Sequence, residues 1–434
     1  MLKDLFLAGG RVRPVQGARF MAFAALLVFG FSNDHTNLLY RCGERATFDV
    51  KVTERDGAAP TGGVLVARLD NFGPKKIAEA KWDLAETNAF SIAGTLDEPG
   101  FLRLTVDGKV WSVGFEPERI RKGSPSPADF DAFWKAARER LAREVPLDPR
   151  LEPVDERTTD AFYFYHVSFA THGRRVHGLL TVPKDKSKGP FPVDLGVNAA
   201  GFGDWTNDLK GRPDAICAQF SVYDWPMDWK WKERGLSKRY EELNAAAAKK
   251  YACSGYSTAG IAVSREEYYF YSVLLGIDRA VDWLAEFPDA DPARIRYQGT
   301  SQGGGFGFYL CGLNRHIARA ALYVPAITDT MGYLAGRQSG WPRLVEANSS
   351  TPALRAEAER NAPYFDGANF ASRITCPVRV AVGFADTTCA PCAVYAAYNE
   401  IASPDKAIVH GFGMTHSCFG RFYEELGAWA RGDR

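Results

Sequence analysis

Histidine is scarce in this chain, with seven among 434 residues. None falls in an H-E-x-x-H or other metal-ligand spacing, which argues against a metal hydrolase. Cysteine offers little more. Eight are scattered along the chain, and the one C-x-x-C pair, Cys389 and Cys392, has no second pair of ligands at zinc spacing. A redox C-x-x-C is expected after the first strand of a small βαβ unit, not in the last third of a long chain. The cysteines therefore read as structural, with disulfides between some of them open if the protein is exported. A surplus of one charge is lacking too. The formal net charge is +1, which gives no electrostatic ground for a nucleic-acid partner. The apolar run at residues 20–31 is shorter than the roughly 20 residues a membrane-spanning helix needs, so no integral membrane segment is expected in the mature protein. The residues before Cys42 (Leu39-Tyr-Arg) do not form a lipobox. No metal and no cofactor is expected.

What is present suits a globular protein of two folded units, with 46% hydrophobic and 24% charged residues. The run at 20–31 follows Lys3, Arg11, Arg13 and Arg19. It fits the apolar region of a signal peptide over residues 1–31, with Gly30 and Ser32 offering a cleavage site. The alternative is a buried N-terminal strand or helix. A leader places the protein outside the cell or in the periplasm; without one it is cytoplasmic. Residues 32–116 alternate apolar and polar positions in short runs around 47–53, 64–69, 89–92, 101–106 and 110–113. Asp56-Gly57, Gly62-Gly63 and Asp107-Gly108 punctuate them. This predicts an all-β, Ig-like sandwich. Residues 117–127 are polar and Pro-containing and read as a linker. Residues 128–434 alternate helices and strands, including a helix over 265–287 and strands at 193–197, 294–300, 320–324, 378–384 and 407–410. A mostly parallel sheet covered on both faces is expected.

One stretch organises this second unit. Gly299-Thr300-Ser301-Gln302-Gly303 lies between a strand and a helix and fits the G-x-S-x-G nucleophile elbow. A serine needs an imidazole base, and the base needs an acid to fix its tautomer. In such a sheet these follow later in the chain, at the ends of subsequent strands. Asp386 stands just beyond the 378–384 strand and His416 a few residues after the 407–410 strand. Asp329 is the rival acid and His410 the rival base, although a residue inside a strand suits a packed core histidine better. His316 is expected to be exposed. His166, His172 and His177 lie on an early hairpin, away from the expected site. The oxyanion donors expected are the backbone amides of Gln302 and Phe202. Residues 205–234 are aromatic and irregular, and Tyr223, Trp229 and Trp231 are candidates to line the substrate cleft.

Several of these segments together resemble the acetyl xylan esterase / cephalosporin C deacetylase family (carbohydrate esterase family 7). They are Gly299-Thr-Ser-Gln-Gly-Gly304, Asp366-Gly-Ala-Asn-Phe-Ala371, Gly383-Phe-Ala-Asp386-Thr-Thr-Cys389-Ala-Pro and Asp129-Phe-Asp-Ala-Phe-Trp134. The resemblance covers residues 120–434 and leaves out the sandwich. It implies an α/β-hydrolase fold with Ser301 as nucleophile, His416 as base, Asp386 as acid and Phe202 as second oxyanion donor. It also implies removal of acetyl groups from acetylated oligosaccharide or polysaccharide, and assembly into homo-oligomers. Three departures stand out. The family's R-G-Q motif is missing, its nearest counterpart being around Ala218-Gln219. His416 sits in Thr-His-Ser rather than Gly-His-Glu. Ala200 replaces the histidine of H-G-Y. Other esters or peptides as substrates, and a non-catalytic carbohydrate-binding role, are the alternatives.

Overall fold

The computed structural model describes residues 27–417 and 420–433. The described residues open with eight strands: β1 (Leu27–Asn33), β2 (Leu39–Tyr40), β3 (Ala46–Glu54), β4 (Val64–Asp70), β5 (Lys76–Asp83), β6 (Ala89–Gly94), β7 (Gly100–Val106) and β8 (Lys109–Phe115). They form a three-stranded sheet, β1-β3-β6, and a five-stranded sheet, β2-β8-β7-β4-β5. Alternation drives the burial. Phe48, Val50 and Val52 of β3 turn inward, as do Leu102, Leu104 and Val106 of β7. Ring pairs join the sheets: Trp82 stacks on Phe90 at 4.1 Å and Phe31 on Trp111 at 5.5 Å.

The expected start of this unit is residue 32; among the described residues, strand pairing begins at Leu27. Residues 27–33 pair along their whole length with β3, from Leu27 opposite Glu54 to Asn33 opposite Phe48. A cut at Gly30 or Ser32 would remove an edge strand. Residues 1–26, on which the leader reading otherwise rests, lie outside the described residues. The segment 117–127 is not a free tether. Asn399 Nδ2 donates to the carbonyls of Pro117 and Ile120, and the Gly123 amide donates to Asp329 Oδ1 at 2.6 Å.

The second unit runs α1 (Phe130–Glu144), β9 (Arg150–Pro153), β10 (Phe162–Thr171), β11 (Arg174–Pro183), β12 (Phe191–Val197), β13 (Ile216–Phe220), α2 (Leu236–Tyr251), α3 (Tyr269–Ala285), β14 (Ala290–Thr300), α4 (Gln302–Leu313), β15 (Ile317–Tyr323), α5 (Pro352–Asn361), α6 (Gly367–Ala371), β16 (Val378–Gly383), α7 (Pro391–Glu400), β17 (Lys406–Gly411) and α8 (Arg421–Arg431). Its sheet has the order β17-β16-β15-β14-β12-β13-β11-β10-β9. The six strands from β17 to β13 are parallel, and β11, β10 and β9 extend the sheet antiparallel. Of the parallel strands, β12 and β16 are near-continuously apolar because both faces are covered. The order reverses direction at β12, and a crevice opens at the carboxyl ends there. Among the described residues, no helix is long and apolar enough to cross a membrane.

Candidate active site

Ser301 sits between β14 and α4 with φ 56° and ψ −117°. A non-glycine residue held there stores about 1–3 kcal/mol of strain. The surroundings enforce it. The Ser301 amide donates to Tyr323 O at 2.8 Å, and its carbonyl accepts from Ala326 N and Gly305 N. The turn is tight enough that a Cβ on Gly299 would lie 2.4 Å from Gly303 O, and one on Gly303 would lie 2.2 Å from Val197 O. This is the steric reason for glycine on both sides of the serine.

The elbow points the Ser301 hydroxyl at His416. The Oγ–Nε2 distance is 2.9 Å, and Nδ1 of the same ring is 2.7 Å from Asp386 Oδ2. Asp386 is fully buried, and its Oδ1 accepts the amides of Thr388 at 2.8 Å and Cys389 at 2.9 Å. An acceptor-only carboxylate requires Nδ1 to donate, which leaves Nε2 free to accept the serine proton. Asp386 follows β16 and His416 follows β17, so two neighbouring strands carry them to one point. Two backbone bonds knit their loops: Phe384 N to Gly411 O, and Ala385 N to Met414 O.

The rival residues lie elsewhere. Asp329 is held by Arg337 at 2.7 Å and by the Gly123 amide, and burial pushes its carboxyl up. His410 bonds the Tyr395 hydroxyl from β17, and burial lowers its pKa. The side chain of His316 is 45% exposed, beside Asp282.

A cleft of about 490 Å³ opens at the serine, lined by Asn198, Ala199, Ala200, Gln219, Gln298, Thr300, His416, Trp205 and Tyr423 among others. The three aromatic candidates are not among its lining residues. Tyr223 is buried, stacks on Trp225 at 5.0 Å and donates its hydroxyl to Gly201 O. Trp229 packs on Phe164 and His166 under the Arg157 guanidinium. Trp231 bonds Asp204 through Nε1 and meets the Phe202 ring edge-on. Among the tryptophans of this stretch, the one that reaches the cleft is Trp205, 62% exposed. It lies over Gly203, where a Cβ would come within 2.6 Å of the indole. Phe202 turns its ring into the cluster of Tyr223, Trp225, Trp231 and Tyr240, away from the cleft.

Two further groups were not visible from spacing alone. The Gln302 side chain is buried, accepts from the Tyr256 hydroxyl at 2.7 Å and donates to Asn198 O at 3.1 Å. It ties the start of α4 to the loop after β12. Cys389 is buried beside Asp386, and burial holds its thiol well above the ordinary range, so it stays protonated. Asp386, Cys389 and His416 each bring one ligand atom within 4.8 Å of the others, the one such cluster among the described residues. Its carboxylate is already bonded to the imidazole, and the imidazole to Ser301. The seven described cysteines carry no disulfide.

A buried acid, an imidazole and a strained serine in one hydrogen-bonded line can activate a hydroxyl for attack on a carbonyl. Comparison with known proteins agrees with this chemistry. The profile of the Acetyl xylan esterase (AXE1) family matches residues 116–431. The chain is 32% identical over 388 residues to "Acetyl esterase Axe7A" of Xylanibacter ruminicola, covering 87% of this chain and 84% of that one. That coverage exceeds the span of the family profile, so the likeness takes in part of the all-β unit. Among solved structures, the acetyl xylan esterase from Paenibacillus sp. R4 superposes with TM-score 0.56 at 22% identity, over 73% of this chain and 98% of that one. Acetyl Xylan Esterase 1 from Thermoanaerobacterium sp. JW/SL YS485 gives 0.57 at 18%, over 73% and 97%. The second unit thus has an α/β-hydrolase-like fold. The chain belongs to the acetyl xylan esterase family and is a carboxylic ester hydrolase.

Proposed function

We propose that this protein is a serine esterase that removes acetyl groups from acetylated xylan or xylo-oligosaccharides through an acetyl-enzyme. The observation that carries the reading is the Ser301–His416–Asp386 line opening into a cleft with an exposed tryptophan at its lip. Ser301 Oγ attacks the acetyl carbonyl carbon while its proton passes to His416 Nε2. The oxyanion is held by the backbone amide of Gln302, whose N–H begins α4 and has no acceptor one turn earlier, and by that of Phe202. His416 returns the proton to the sugar oxygen as the C–O bond breaks. Water then gives a proton to the same imidazole and attacks the acetyl-serine; the imidazole returns that proton to Ser301 Oγ as its bond to the acyl carbon breaks, and acetate leaves. Trp205 offers a flat apolar face of the kind on which a sugar ring stacks. The sheets of three and five strands support reading the N-terminal unit as an Ig-like sandwich.

The test is acetate release from acetylated xylo-oligosaccharides by wild type and Ser301→Ala. Release by the wild type alone supports the reading. Ser301-dependent cleavage of simple acetyl esters without release from the sugars would keep the chemistry and discard the substrate. Ser301-independent activity would discard the mechanism.

A further inference from the structure

The N-terminal unit touches the loops that carry the acid and the base. Ser112 of β8 is buried, and its Oγ donates to Phe384 O at 2.5 Å, two residues before Asp386. On the neighbouring strand, Phe101 sets its ring edge-on to Phe384 at 5.0 Å. Register explains the pairing: Phe101 opposes Gly114 and Arg103 opposes Ser112, so Phe101 and Ser112 share one face of the sheet. Ordinary strand alternation would leave that face to solvent, yet both residues are buried.

Trp111, on the opposite face of β8, engages the base loop. Its indole lies so close to Gly413 that a Cβ there would fall 2.2 Å from the ring. Gly413 has φ +66°, a conformation that glycine holds without strain, and it stands three residues before His416. Trp111 is itself fixed. Its Nε1–H donates to Asn33 Oδ1 at 2.7 Å, and its ring stacks on Phe31. A second route reaches the acid loop: Phe72 O accepts from Gln338 N at 2.6 Å, and Gln338 Nε2 donates to Thr387 O at 2.8 Å. The loops bearing Asp386 and His416 are bonded to each other on one side and seated against the N-terminal unit on the other.

We propose that Trp111, with Ser112 beside it, is a positioning residue for the hydrolase: the N-terminal unit completes the active site by holding the acid and base loops in register with Ser301. Trp111 touches neither substrate nor reacting atoms. It fixes the backbone at Gly413 and so the placement of His416. Ser112 fixes the Phe384 carbonyl and so the placement of Asp386. Rigid support of this kind matters because a displacement of about 1 Å at a catalytic group can cost on the order of 100-fold in rate. The inference rests on the Ser301–His416–Asp386 reading.

The test uses the full chain and two readouts: steady-state hydrolysis of a simple acetyl ester, and the rate at which a fluorophosphonate labels Ser301. Trp111→Ala is expected to lower kcat by about 10- to 100-fold, with KM within about threefold of wild type. The labelling rate should fall by a similar factor while the final extent of labelling stays complete. Trp111→Phe keeps a ring against Gly413 and should recover most of the loss. Adding Gly413→Ala should damage the wild-type background more than the Trp111→Ala background, where the ring that its methyl would strike is gone. The proposal is overturned if folded Trp111→Ala keeps wild-type kcat and labelling rate, or if Trp111→Phe is as impaired as Trp111→Ala. Should Trp111→Ala fail to fold, Ser112→Ala decides, because it removes one hydroxyl and no packing ring. A several-fold fall in its kcat with an unchanged unfolding midpoint supports the proposal, and a wild-type kcat overturns it. Absence of labelling at Ser301 in the wild type would instead refute the triad reading underneath.

Discussion

Replacing Asp386 by Asn changes one atom and isolates what the buried carboxylate does. Oδ1 already accepts the amides of Thr388 and Cys389, and Oδ2 faces Nδ1 of His416 at 2.7 Å. In the variant, the amide oxygen can satisfy the two backbone donors only if the NH₂ turns toward the histidine. The flipped arrangement sets NH₂ against two N–H groups and loses both bonds. The first arrangement therefore wins. It forces Nδ1 to accept and leaves the ring proton on Nε2, facing Ser301, where it can no longer take the serine proton. Loss of the correct tautomer in triads of this kind costs about 10⁴ in kcat. That corresponds to about 5.4 kcal/mol at the transition state. KM for a small acetyl ester should change little, because the cleft walls are untouched. The assay is steady-state kinetics with the folded fraction checked by circular dichroism. A loss below about tenfold in a folded variant would show that His416 does not depend on Asp386 for its tautomer, and the reasoning would fail.

Trp205→Ala should raise KM for acetylated xylo-oligosaccharides by about three- to tenfold while leaving KM for a small acetyl ester unchanged; an equal effect on both would remove Trp205 from sugar binding. Gly303→Ala places a methyl 2.2 Å from Val197 O, so it should destabilise the protein by about 1–3 kcal/mol in urea and reduce kcat; an unchanged urea midpoint would contradict the steric account of the elbow. His177 is mostly buried beside Asp224, and burial lowers its pKa to about 4. Its folded-state pKa is depressed below the ordinary 6.5, so its contribution is present above that value and is lost as pH falls toward 4. Between pH 7 and pH 4, wild type should lose on the order of 2 kcal/mol more unfolding free energy than His177→Gln, measured in urea; parallel curves would refute this.

Where local chemistry carries the signal, the chain is legible. Gly299 and Gly303 announce the elbow because backbone carbonyls crowd both positions. Asp386 and His416 are readable because each follows an apolar strand of a sheet that places its carboxyl ends together. The long helix is read at 265–287 but observed as Tyr269–Ala285, a difference confined to its ends. What escapes is what distant packing decides. An abundance of aromatics does not say which ring meets solvent. Tyr223, Trp229 and Trp231 find partners across the fold, and Trp205 is left at the cleft. Helix α2 carries a stripe of Leu236, Tyr240, Leu243 and Ala247 at helical spacing, but it follows directly on the Trp-rich stretch that reads as irregular. The run ending at Phe31 suits a leader and an edge strand equally, and in the structure its last residues pair with β3. Ser112 and Phe384 meet across 272 positions, a contact that no local pattern announces.

The central claim is that Ser301 carries the acetyl group between sugar and water. The most direct measurement is mass spectrometry of enzyme quenched in acid during turnover of an acetyl ester. The account predicts acetylation of the peptide bearing Ser301, absent from Ser301→Ala and absent once substrate is exhausted. Turnover with no acetyl on that peptide, or with acetyl on another residue that disappears at the rate of turnover, would contradict it.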